Sequence, residues 1–566
     1  MTAMTYEEAA AHLTATNPVF ELTTASIRGV DYKVYKNIPG DVAALMRHSR
    51  AAMQDGAAEY LVFEDERWTY DQFIADVDRL AHILANRFDV ARGTRVALAM
   101  RNCPELLLGI MAIASLGGVV VFLNGWWTTQ ELDYALQDSN ARLVLADGDR
   151  AARLAPLEPS LGLTIIGTRD AKTPVRYADL VRDVGDVAPA DVGIDTDDDF
   201  AIMYSSGTTG KPKGVVLTHR GVVNAVYSWL LTFVMAPLID PPEDPDAPVQ
   251  RPVALIVTPL FHVTATHPCF MLSMPAGAKI VVMSKWDARR AVELIRDEEV
   301  TRFLGVPTQS ADLVVAAREM GEELPLLTYI GSGGAKRPAP QVAEIAETFK
   351  NAAVATGWGM TETNAMGIGL VGDEYLERPG AVGRLYPAVQ ELRFLDDVGQ
   401  PVGVGEVGEI TVKSPCNMRE YLNKPEATAE VLQDGWLRSG DLGFIDEDGI
   451  VTIVDRKKNI IIRGGENIAC LDVEGALHRH PAVAEACVFS VPHDRLGEVV
   501  GAGVQVKQGH SIDEEDLKAF LRDHIAKFKV PEHFWFQRDP LPRGTTDKID
   551  RRALQAACLG KDNAHA

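Results

Sequence analysis

The sequence predicts an α/β protein with a large domain of stacked, mostly parallel α/β subdomains, a small β-rich subdomain and a small α+β unit. Three observations carry this. From Phe200 to about Thr361, apolar runs of strand length alternate with helical patterns, as in a parallel sheet covered by helices. An earlier run of the same kind extends from about Leu61 to Asp147. After about Glu391 the pattern changes to short strands and turns, and Asn459 to about Arg552 reads as a separate α+β unit. At 566 residues the chain exceeds what one core accommodates.

The elements follow in order. The opening "MTAMTYEEAAAHL" has acidic residues and no long apolar run, so it does not read as a secretory signal. "LLLGIMAIASLGGVVVFLN", Leu106 to Asn124, approaches the length of a membrane span. Gly117-Gly118 divides it into a helical half and the β-branched run Val119-Val120-Val121. A buried helix followed by a buried strand explains that switch, and no membrane span is expected. "FAIMY" reads as a strand entering a glycine-rich loop, and "GVVNAVYSWLLTFV" as the helix after it. "VALIVTPLF", "AKIVVMS" and "LTYIGSGGA" read as strands, "DARRAVELIRDEEV" as a helix. Residues 238–252, rich in Pro and Asp, should form an exposed loop, and "LGKDNAHA" a frayed tail.

Composition excludes some functions. The net charge is −23, spread along the chain, so there is no general basic face to displace counterions from a nucleic acid. None of the six cysteines falls in a CxxC pair, which argues against a zinc site or a disulfide framework. They read as buried thiols in a reducing cytoplasm.

The loop "SSGTTGKPKG", Ser205 to Gly214, packs three glycines, four hydroxyls and two lysines into ten residues. It is not a Walker A loop, which needs GxxxxGK[ST]. Pro212 stands where the second glycine would be, and neither Lys211 nor Lys213 precedes Ser or Thr. What remains is a nest of backbone N–H groups suited to an anion. Ser205, Ser206, Thr208 and Thr209 add hydroxyl donors and Lys213 adds charge.

Further motifs follow: "PLFH" (Pro259 to His262), "GWGMTET" (Gly357 to Thr363), "SGDLG" (Ser439 to Gly443), "DRKKNIIIRGGENI" (Asp455 to Ile468) and "LPRGTTDKIDR" (Leu541 to Arg551). In order and spacing the set resembles the superfamily of adenylate-forming enzymes, in its acyl-CoA synthetase branch, from about Ile38 to Leu554. The resemblance implies a large AMP-binding domain over 1–454, a hinge at 455–458 and a small mobile domain over 459–566. It also implies a reaction. A carboxylic acid attacks the α-phosphorus of ATP, pyrophosphate leaves, and the acyl adenylate passes to the thiol of CoA. The attacking carboxylate is already an anion, so charge neutralisation and alignment are required rather than a general base.

By the same resemblance, Ser205, Ser206, Gly207, Thr208, Thr209 and Lys213 hold the β- and γ-phosphates. Thr361 contacts the α-phosphate and Glu362 ligates Mg²⁺. Trp358 stands where the family usually has Tyr and could stack on adenine; Asp441 takes the ribose hydroxyls, with Arg456 nearby. Gly333 joins the nucleotide-binding groups, His262 the catalytic ones. Lys548 matches the lysine that bridges the acid and the α-phosphate, although Asp547 replaces the family's usual glycine before it. Lys458 matches the hinge, whose rotation would bring Gly464 and Gly465 beside the pantetheine of CoA. Ile462 and Asn467 depart from the lysine and glutamine of aryl-CoA ligases.

The segments at His262, Gly331 and Gly357 bound the acyl pocket in this family. Their glycines remove bulk from two walls, which favours a medium- or long-chain fatty acid or a bulky hydrophobic acid over acetate. Thr266 stands where some long-chain enzymes place a gating tryptophan, so a tryptophan there is expected to narrow the pocket. Two other readings remain: an acyl-AMP ligase that loads a carrier protein, and a non-catalytic nucleotide-binding protein. Association into a homodimer is left open.

Overall fold

The computed structural model describes residues 3–205, 212–242, 244, 250–464, 466–544 and 548–562. Its architecture rests on two large, mostly parallel sheets. The eight-stranded sheet is ordered Glu420–Tyr421, Lys213–Thr218, Asp199–Ser205, Val119–Phe122, Arg95–Ala99, Leu143–Ala146, Thr164–Gly167, Val175–Arg176. The nine-stranded sheet is ordered Arg384–Leu385, Gly367–Val371, Ala353–Gly359, Tyr329–Ser332, Arg302–Gly305, Val253–Ile256, Lys279–Val282, Glu59–Phe63, Glu66–Thr69. The earlier α/β run is therefore not self-contained. Its first strand, Glu59–Phe63, joins the second sheet by parallel pairing with Lys279–Val282.

Local chemistry sets the helices. Asp287 caps Ala288–Asp297 by accepting from the Arg290 N–H at 2.9 Å, which satisfies a donor the first turn leaves open. Thr128 and Glu131 form a reciprocal capping box at the start of Thr129–Ser139. The stretch tested as a membrane span is the buried helix Pro104–Ser115 and the buried strand Val119–Phe122. One described helix, His219–Ile239, is long and apolar enough to cross a membrane. Residues from Val222 to Met235 along it pack in the core shared by the two sheets. That helix also takes in the first two residues of the segment expected to be a loop.

The β-rich segment forms a smaller sheet in which Gly408–Lys413 pairs with both Glu391–Leu395 and Trp436–Ile445, and Val451–Arg456 extends it. A short turn, Lys457–Asn459, leads to the last sheet. That sheet has its own core, built from Val473, Val488, Val500, Ala502 and Val504 among others.

Candidate active site

The strands on either side of the glycine-rich loop, Asp199–Ser205 and Lys213–Thr218, pair antiparallel, with Ser205 and Lys213 as register partners. The returning strand, Lys213–Thr218, is an element that the sequence patterns do not announce. Ser206, Gly207, Thr208 and Thr209 lie outside the described residues, as do Gly465 and Asp547.

Glu362 sits in the short turn Thr361–Thr363 and is buried. Its Oε1 accepts the Tyr421 hydroxyl at 2.9 Å and the Ser205 hydroxyl at 3.4 Å. Its Oε2 takes no hydrogen bond among the described residues. Tyr421 also lies under Lys213, whose Nζ is 4.7 Å from the ring centroid. Burial, then the Glu362 charge, pushes the Tyr421 phenol up, so it stays protonated as a donor. No motif points to Tyr421. It is 59 residues from Glu362, and only the pairing of Glu420–Tyr421 with Lys213–Thr218 brings it to the loop. The turn itself is fixed by Asn364, which accepts from His267 at 2.9 Å and donates to the Cys416 carbonyl at 2.7 Å.

A second cluster forms around Asp441, which is 4% exposed. The Trp358 indole N–H donates to its Oδ2 at 2.8 Å, and Arg456 Nε lies 3.1 Å from Oδ1. Asp441 and Arg456 are register partners on adjacent strands. Trp358 therefore orients the carboxylate with its ring edge, a contact the stacking expectation does not include.

Lys548 reaches the loop after Tyr329–Ser332. A Cβ added to Gly334, whose φ is +81°, would lie 3.3 Å from Lys548 Nζ. Crowding at that ammonium, then Arg456, lowers its pKa to about 8, against the opposing pull of Asp441. Crowding, then Arg456 and Arg552, likewise lowers Lys458 to about 8. Both residues keep solvent exposure. Burial, then Lys548, lowers His262 to about 3, and its Nε2 has no partner among the described residues. The imidazole is neutral at ordinary pH. Gly464 has φ +60° and donates its N–H to the Leu496 carbonyl at 2.8 Å.

The acyl-pocket expectations change in two places. Thr266 is fully buried, and its hydroxyl donates to the Leu260 and His262 carbonyls, so it faces protein rather than a cavity. Gly331 does not leave an empty wall, because a Cβ there would lie 2.9 Å from the Tyr329 hydroxyl. Gly333 and Gly357 do keep room, the nearest atoms to an added Cβ being 3.5 Å away at each. A separate crevice of about 390 Å³, lined by Glu66, Trp68, Asp76, Arg79, Glu105 and Tyr177 among others, includes none of the motif residues.

Residues 48–422 match the AMP-binding enzyme family and residues 472–548 the AMP-binding enzyme C-terminal domain. The chain is 34% identical to a feruloyl-CoA synthase from Amycolatopsis sp over 481 residues, covering 85% of this chain and 92% of the relative. It is 29% identical to a long-chain-fatty-acid–CoA ligase from Bacillus subtilis, over 92% of this chain and 96% of that one. The structure of o-succinylbenzoate CoA synthetase from Bacillus subtilis with its acyl-adenylate intermediate superposes with a TM-score of 0.78 at 28% identity, covering 90% of this chain and 97% of that one. The chain belongs to the AMP-binding enzyme family, in the ligase branch of the adenylate-forming superfamily.

Proposed function

We propose that the protein is an AMP-forming carboxylic acid:CoA ligase that activates a bulky, largely hydrophobic acid or a medium- or long-chain fatty acid. The observation that carries this is the approach of Lys548 to Gly334, beside His262 and within the field of Asp441. A cation there is suited to bridging the carboxylate of an acid and the α-phosphate of ATP. Lys213 and the loop hydroxyls take the outer phosphates, and Asp441, held by Trp358 and Arg456, takes the ribose. Glu362 fits Mg²⁺, since its Oε2 takes no hydrogen bond among the described residues and that ion is commonly held by one or two carboxylates plus substrate phosphates. When bound, the ion neutralises phosphate charge. The neutral His262 lines the site without acting as a base. CoA follows at the second step, after rotation about residues 455–458 relative to a domain over 459–566. The six buried thiols accord with a reducing cytoplasm.

The test is acid-dependent exchange of labelled pyrophosphate into ATP without CoA. Exchange that required CoA would overturn the ordered two-step scheme. Thioester formation with free CoA distinguishes this reading from the loading of a carrier protein.

A further inference from the structure

Arg302 lies on the strand Arg302–Gly305, in register with Tyr329 on its neighbour. Its guanidinium carbon is 4.2 Å from the centroid of the Phe233 ring and 3.8 Å from that of Tyr329. The groups that act on it electrostatically are Tyr329, Cys269 and Tyr386, with no carboxylate among them. Its side chain makes no salt bridge or hydrogen bond among the described residues. The buried Arg150, in contrast, pairs with Asp147 at 3.0 Å.

Ring faces attract the charge but leave the five N–H donors of a guanidinium without acceptors. Arg302 is partly exposed, so those nitrogens keep some contact with solvent. The hydroxyls of Tyr329 and Tyr386 likewise make no hydrogen bond among the described residues. They lie over Gly331 and over Gly357 and Gly369, respectively. A cation and two phenols thus converge on the sheet face that leads to the candidate site. The Gly333 N–H donates to the Gly305 carbonyl, and Arg302 lies three residues back along that strand. At about 3.3 Å per residue, that places it roughly 10 Å below the Gly333–Gly334 turn.

We propose that Arg302 is a specificity residue at the floor of the acyl pocket, where it binds a second carboxylate on the acid being activated. The substrate class is then a dicarboxylic acid with a hydrophobic body, one carboxylate beside Lys548 and the other on Arg302. This rests on the acid:CoA ligase reading.

Matched acids test it: hexanoic against hexanedioic acid, and phenylpropanoic acid against its para-carboxylate, read as AMP release with CoA. The wild type should favour each diacid by about ten-fold or more in kcat/KM, as expected when a charged donor gains its acceptor. Arg302→Met should abolish that preference while sparing the monoacids, and Arg302→Lys should retain part of it. Tyr386→Phe should weaken it without removing a charge. A wild type that prefers the monoacids, or a ratio unchanged in Arg302→Met, overturns the proposal. Calorimetric titration with hexanedioate separates the two readings. Binding that Arg302→Met loses, without pyrophosphate exchange for any acid, sinks the ligase reading and leaves the anchor standing. Absence of both binding and exchange sinks the anchor.

Discussion

Tyr421 donates its hydroxyl to Glu362 while its ring lies beneath the Lys213 ammonium. One side chain thereby links Lys213, at the end of the glycine-rich loop, to the candidate metal-binding carboxylate.

Tyr421→Phe keeps the ring and removes the hydrogen bond. A hydrogen bond to a charged group is worth about 1.5–3 kcal/mol, so KM for MgATP should rise by roughly ten-fold or more. Conversion of supplied acyl-AMP and CoA to thioester should be unaffected. An unchanged KM would remove Tyr421 from the nucleotide site.

Lys548→Ala should slow adenylation by on the order of two to three decades, the usual loss for one preorganised electrostatic group. Thioester formation from supplied acyl-AMP should survive. Lys458→Pro should do the reverse, because proline restricts φ at the proposed hinge. Measuring both half-reactions in both variants checks this. Equal damage to both steps in Lys548→Ala would refute domain alternation.

Lys548 and Lys458 both titrate near a pKa of about 8 without ligand. A bound polyphosphate favours their charged forms and raises both pKa values. Binding of MgATP at pH 8 should therefore take up protons, and affinity should fall as pH rises through 8. Calorimetry in buffers of different ionisation heat measures the uptake. Lys548→Met should reduce it, and proton release in the wild type would contradict the assignment.

Thr266→Trp should destabilise the fold rather than retune chain length. The threonine is fully buried with its hydroxyl on two carbonyls, and overpacking costs about 1–3 kcal/mol or more. A lower Tm should accompany the substitution. A normal Tm with a shifted acid profile would restore the gate.

Much of this is legible in the sequence. The alternating apolar runs mark the strands Asp199–Ser205, Val253–Ile256, Lys279–Val282 and Tyr329–Ser332, since burial on both faces leaves a continuous apolar signal. Glu362, Asp441 and Lys548 stand out because each lies in a motif that resembles the family's. Tyr421 and Arg302 do not, because the neighbours of each come from strand register and not from the adjoining chain. Gly331 reads as a vacated wall because a sequence does not say that the Tyr329 ring will fill the space its missing Cβ leaves.

The pairing of Glu59–Phe63 with Lys279–Val282 has a consequence for biosynthesis. At the roughly 5–20 residues per second of ribosomal synthesis, the first strand of the nine-stranded sheet emerges about 10–40 seconds before its parallel partner. Throughout that interval the apolar segment Tyr60-Leu61-Val62-Phe63 can pair with its antiparallel neighbour Glu66–Thr69, while its other edge waits for Lys279–Val282. The open edge of that hairpin stays unpaired on the nascent chain for that interval, and a slowed ribosome lengthens its exposure to edge-to-edge association.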